Sequence, residues 1–135
     1  MFDRYVGNEQ RKLEQLGERH QEQQLLLERQ RQRLQTLQAF EAELAVPVSG
    51  SALALRNRIG LRGQLGTLIQ FQQHETELAD LSARDSLASL RRQLGRVKGL
   101  EHVQTRRAQV ARELDARREQ RSLDDWVNRA VGQSD

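Results

Sequence analysis

Apolar side chains in the first third of the chain return every three to four residues. Written as heptads, one position takes Val6, Leu13, His20, Leu27, Leu34 and Glu41. The other takes Phe2, Glu9, Leu16, Gln23, Gln30, Leu37 and Leu44. A spacing that alternates threes and fours is that of a helical seam, and it predicts a helix over about residues 3–45. Glu9, His20, Gln23 and Gln30 put polar groups into that seam, so it is continuous but weak. His20 is expected to set register there, as a polar residue at a seam position does. The pattern stops at Ala45-Val46-Pro47-Val48-Ser49-Gly50-Ser51. Pro47 is the single proline of the chain, and it removes a donor and drives Val46 out of the helical region. Gly50 adds backbone freedom, and Ser49 or Ser51 offers a hydroxyl to cap the next helix. The turn is placed at about 46–51 and a second, longer helix at about 52–131.

The second helix changes texture along its length. Leu53, Leu55, Ile59, Leu61, Leu65, Leu68, Ile69 and Phe71 make its first part the most apolar of the chain. Gly60, Gly63 and Gly66 interrupt that part, each lowering helix propensity by about 1 kcal/mol against alanine. They mark either a kinked or frayed start, or a place where another backbone comes close or where this end of the hairpin rearranges on docking. From Leu78 the helical signal strengthens. Leu87, Leu90, Leu94 and Val97 hold heptad spacing; Leu100, Val103, Val110 and Leu114 follow with a shift of phase of the kind that overwinds a coil. Gly95 and Gly99, one turn apart near that shift, suit a tight helix crossing. The expected architecture is all-α, a long antiparallel two-helix coiled-coil hairpin in one domain, residues 1–135. A first helix of this length cannot pair the whole of the second, and an excess of about 30 residues leaves tens of ångströms of single helix at the C-terminal end.

Composition supports this reading. Charged residues make up 30% and aromatic residues 4% of the 135 positions, which favours a seam over a thick core. With no cysteine, disulfides and thiolate metal sites are excluded. No apolar run reaches the length of a membrane span and no signal-peptide core is visible, so a cytoplasmic location is expected. The net charge of +3 is unevenly spread: residues 91–121 hold ten basic and four acidic groups. Such a stretch suits an acidic protein surface, an anionic membrane or nucleic acid, unless it is simply a solvated face. Its arginines are scattered round the helix with no aromatic residues between them for base stacking, so nucleic acid ranks last.

Catalytic and metal-binding patterns are absent from the sequence. His20, His74 and His102 have no ligand partner at helical spacing. Gly60, Gly63 and Gly66 lack the preceding strand and following Lys-Ser/Thr of a phosphate loop. No enzymatic activity, cofactor, metal or small-molecule substrate is expected. Trp126, with Leu123 and Val127 beside it, either packs on the first helix's N-terminal end or anchors a partner, a role in which tryptophan is enriched.

The run Glu119-Gln120-Arg121-Ser122-Leu123-Asp124-Asp125-Trp126-Val127-Asn128-Arg129 resembles the closing signature of the FliJ family, components of the flagellar type III export apparatus. Ser122 stands where that family usually has a basic residue. A looser likeness follows the turn, where Ser49-Gly50-Ser51 precede Leu61, Leu65, Leu68, Ile69 and Gln72-Gln73-His74. The family's aromatic residues near Arg58 and Leu61 are missing here.

The resemblance implies a coiled-coil stalk, similar to the rotor stalk of rotary ATP synthases, whose paired terminal ends enter the hexameric export ATPase and promote its ring assembly or activity. It implies Arg117, Arg118, Gln120, Arg121, Leu123, Asp124, Asp125, Trp126 and Arg129 as the ATPase-facing set. Leu61, Leu65, Leu68 and Gln72 would face the cytoplasmic domain of the membrane export gate. Export chaperones are further implied partners, and the protein would sit at the inner membrane peripherally, through the apparatus. The alternatives are the equivalent stalk of a virulence-type III secretion system, and a coiled-coil scaffold or nucleic-acid-binding protein.

Overall fold

The computed structural model describes residues 1–46 and 50–133. It contains two helices, α1 (Phe2–Ala45) and α2 (Ala52–Gln133), packed against each other as a helical hairpin with the longer helix second. The expected break at Pro47, Val48 and Ser49 lies outside the described residues. Both sequences are dominated by Leu, Gln, Glu, Arg and Ala, which give up little side-chain freedom in a helix. The chain groups into two compact units, Lys12–Gln93 and Met1–Arg11 with Leu94–Asp135.

Within Lys12–Gln93 the helices run antiparallel, as the partners show: His20 meets Ser86 and Gln30 meets Gln72. The heptad positions of α1 supply its half: Leu13, Leu16, His20, Gln23, Leu27, Gln30, Leu34, Leu37 and Leu44 are buried or half-buried, while Glu41 is exposed. On α2 the seam is built differently. Leu65, Ile69, Gln72, Thr76, Ala79, Ala83, Ser86, Leu90 and Gln93 hold it. Leu78 and Leu81 are exposed. Small residues face large ones. Leu27 lies in a cluster with Ala79 and Ala83, so the helices mesh without space for a second row of leucines.

Polar layers punctuate this seam and are satisfied. The Ser86 hydroxyl donates to the Ala83 carbonyl at 2.8 Å, leaving its oxygen to accept from the His20 ring Nδ1 at 2.7 Å. Gln72 Nε2 donates to both the side-chain and main-chain oxygens of Gln30. A matched polar layer loses its bonds if either helix slips, which fixes register at a cost in stability.

Both ends of the connection are capped by side chains. The Ser51 hydroxyl accepts the Ala54 N–H at 3.2 Å, the geometry of an N-cap bonding its third helical residue. At the end of α1 no basic residue lies in the last turn. Arg58 of α2 supplies one instead. Its guanidinium donates to the carbonyls of Leu44 at 2.9 Å, Glu43 at 3.2 Å and Val46 at 2.6 Å. They lie at the negative end of the helix dipole, where carbonyls run short of donors; the Glu43 carbonyl also accepts the Val46 N–H at 3.3 Å.

In the other unit, Val6 and Glu9 of α1 are buried and Phe2 is half-buried; Val97 of α2 is buried, with Leu100 and Gln104 half-buried. Gln104 donates to Asp3 at 2.8 Å, Gln10 donates to Glu101 at 2.9 Å, and the Arg107 guanidinium sits 4.3 Å above the Phe2 ring. Glu9 lies 3.9 Å from Arg96.

Three expectations are corrected. The seam steps from Val97 to Leu100 to Gln104, with Val103 exposed, so the phase does not shift there; Val103, Val110 and Leu114 leave the seam rather than carrying it. The helix is continuous through Gly60, Gly63 and Gly66, and a Cβ on any of them would meet nothing within 4 Å, as would one on Gly95 or Gly99. Close approach therefore explains none of the five. Gly60, Gly63, Gly95 and Gly99 are exposed and Gly66 is half-buried, and the missing side chains loosen the helix without admitting another.

Large apolar side chains are exposed in both units, Leu53, Ile59, Leu68 and Phe71 in one and Val110, Leu123 and Trp126 in the other, which makes protein partners the natural place to look for function.

Candidate protein-docking surfaces

The first surface lies in Lys12–Gln93. On α2, positions seven apart share a face, so Leu61 and Leu68 line up beside the seam, with Phe71 and Leu78 next to them. All four are exposed, Leu68 by 51% and Phe71 by 61%. Leu37, Leu68, Phe71 and the stems of Arg29 and Arg33 border an open groove of about 490 Å³. Of the residues that the family resemblance assigned to a gate, Leu61 and Leu68 are on this surface. Leu65 and Gln72 are turned into the seam, exposed by only 5% and 8%, and Gln72 also borders the groove. Gln72 there bonds Gln30, and the pair holds register. Phe71, Arg29 and Arg33 had no place in that assignment. Phe71 carried a usable signal, an aromatic residue one turn from Leu68, whereas the two arginines come from α1 and join the groove only through folding.

The second surface is the C-terminal part of α2. From Thr105 to Gln133 every described residue is exposed. No seam is kept ready there. Continuing the direction of Val97 and Gln104 along a straight helix at about 100° per residue leads to Ala111, Asp115, Arg118, Ser122 and Arg129, residues unsuited to a packed helix pair. Apolar groups lie on other faces. Val103, Val110, Ala111 and Leu114 border a shallow apolar depression with Arg106 and Arg107. Leu123, Trp126, Val127 and Val131 form another patch, with Trp126 exposed by 68%. Trp126 thus does not pack on the first helix. Arg117, Arg118, Arg121, Asp124, Asp125 and Arg129 all project from this helix into solvent, and Gln120 bonds Asp124 at 3.3 Å.

Such a helix is held by its own backbone bonds and presents side chains on all sides. Its chemistry is that of recognition: a large aromatic anchor, aliphatic neighbours and charges of both signs. Among the described residues no group of three His, Asp or Glu is placed to hold a metal ion, and no helix is long and apolar enough to cross a membrane.

No curated protein and no solved structure matches the chain. The family model described as flagellar FliJ protein matches residues 6–135. That span includes both docking surfaces and the hairpin that carries them, and the chain belongs to the FliJ family of flagellar type III export.

Proposed function

We propose that this chain is the non-catalytic stalk of a flagellar export machine, entering the hexameric export ATPase with its C-terminal helix and promoting ring assembly or turnover. One observation carries the reading: the segment with the family's closing signature is a single exposed helix, with Trp126 and Leu123 uncovered. An apolar anchor on a helix with no intramolecular partner is stabilised by burial in another protein, worth about 1.5–3 kcal/mol for each large side chain. Trp126 and Leu123 are the anchors, and Arg117, Arg118, Gln120, Arg121, Asp124, Asp125 and Arg129 set orientation and association rate.

The groove beside Leu61 and Leu68 takes the cytoplasmic domain of the export gate, with export chaperones as further partners. Gln72 borders that groove while bonding Gln30, and Leu65 is buried in the seam beneath it. The protein is accordingly held at the inner membrane through the apparatus. The test is to add the protein, well below stoichiometry, to the export ATPase of the same genome and follow ATP turnover and ring formation. Stimulation that saturates near one chain per six ATPase chains supports the stalk. No change in either quantity overturns it.

A further inference from the structure

The closed end of the hairpin carries apolar surface that neither docking surface uses. Val46, Leu53, Leu55 and Ile59 are each more than half exposed. Charge at this end has one sign. From Leu44 to His74 the chain holds Arg56, Arg58 and Arg62 and neither aspartate nor glutamate. Arg58 is spent on the carbonyls at the end of α1. Arg56 and Arg62 are exposed, and nothing among the described residues pairs with them.

Apolar and basic side chains are ordered round the start of α2. At about 100° per residue, Ala52, Leu55 and Ile59 fall within about 60° of one another. Arg62 lies about 20° beyond Leu55 on one side, and Arg56 about 40° beyond Ala52 on the other. Gly63 belongs to the same stripe, and a Cβ there would meet nothing within 4 Å. No side chain at that position holds the backbone away from whatever covers Ile59.

An apolar stripe edged by arginines is the layout of a helix that lies in the interface of a bilayer. Its aliphatic side chains enter the acyl boundary, while the long arginine stems let each guanidinium bend back to the level of the phosphates. Protein partners are more commonly met by aromatic anchors and by charges of both signs. The C-terminal helix offers both, and this stripe offers neither. A surface of lipid phosphates needs no carboxylate opposite it.

We infer that the closed end of the hairpin docks directly on an anionic bilayer surface, with Leu55 and Ile59 in the acyl boundary and Arg56 and Arg62 on lipid phosphates. This goes beyond the stalk reading, in which the membrane is reached only through other proteins, and it needs no ATPase. With so few anchors the contact is reversible and weakens as salt rises.

The chain has no cysteine, so a cysteine placed at Ile59 takes a polarity-sensitive dye at that position alone. With vesicles of phosphatidylcholine mixed with phosphatidylglycerol, emission from the Ile59→Cys label should move to the blue and be quenched by brominated acyl chains. Leu55→Cys repeats the measurement with the other anchor in place. A label at Leu25→Cys, exposed on α1 far from this end, should stay in water. Arg56→Gln with Arg62→Gln should weaken vesicle binding by about 30-fold, with circular dichroism unchanged. Labels that stay in water at both Leu55 and Ile59 overturn the proposal. So does equal entry into pure phosphatidylcholine, or binding that survives replacement of both arginines. Burial of the labels by the gate's cytoplasmic domain and not by vesicles overturns it too, and gives this end to a protein. Stimulation of the ATPase is read separately, so either reading can fall without the other.

Discussion

Leu27 and Trp126 are both large apolar residues on regular helix, and the chain treats them in opposite ways. Leu27 lies buried among Ala79 and Ala83, in a seam where small residues on one helix make room for large ones on the other. Trp126 lies exposed on a helix that retains no seam. In the first region apolar surface holds the fold; in the second it stays in water. The same substitution should therefore be read by different instruments in the two places.

The largest contrast comes from truncating the exposed anchors. Leu123→Ala with Trp126→Ala should weaken ATPase binding by about 100-fold or more, since interface anchors of this kind commonly exceed 2 kcal/mol each. Helical content by circular dichroism and the urea midpoint should barely move, as surface changes stay within about 0.5 kcal/mol. A melted helix would show that these residues are core and would erase the contrast. Next, Leu27→Ala should cost about 3 kcal/mol of stability, because its alanine neighbours cannot collapse into the void. A loss below 1 kcal/mol in urea unfolding would mean that the seam is far looser than its geometry.

Arg58→Leu keeps the aliphatic stem but removes the guanidinium bonds to three carbonyls, of which Glu43 retains the Val46 N–H, for an expected loss of about 2 kcal/mol. Hydrogen exchange should rise in the last turn of α1 and little elsewhere. The smallest effect has the opposite sign. Gly63→Ala adds a methyl group to open space and should stabilise by about 1 kcal/mol. A loss instead would reveal a neighbour close to that backbone.

The seam of α1 could be read from its letters. Val6, Leu13, Leu16 and Leu27 repeat with a helical period, and the polar residues His20, Gln23 and Gln30 that weaken the pattern are nonetheless in it. That of α2 could not. Its seam is made from Gln72, Ala79, Ala83 and Ser86, residues that hydrophobicity ranks low, while Leu78, Leu81 and Val103 suggest a different stripe. Packing selects for size complementarity, and periodicity of leucines reports burial only where burial needs leucine. This is also why a phase shift is expected near Leu100 and none occurs. The unpaired C-terminal helix followed from the unequal lengths of the arms, and Trp126 drew notice as the single tryptophan. Arg58 gave no local signal, since its partners lie 12 to 15 residues away in sequence and meet it only once the hairpin has closed.

The Arg58 clamp has a practical corollary for engineering. Because a side chain of α2 grips the last carbonyls of α1 directly, the two helix ends are joined by something other than the covalent link between Val46 and Gly50. Lengthening that link should then cost little beyond loop entropy, about 0.6 kcal/mol for each doubling. A fluorescent or affinity domain inserted there would ride on the molecule with its seam and its C-terminal helix unaltered, giving a handle by which a single stalk could be watched at work.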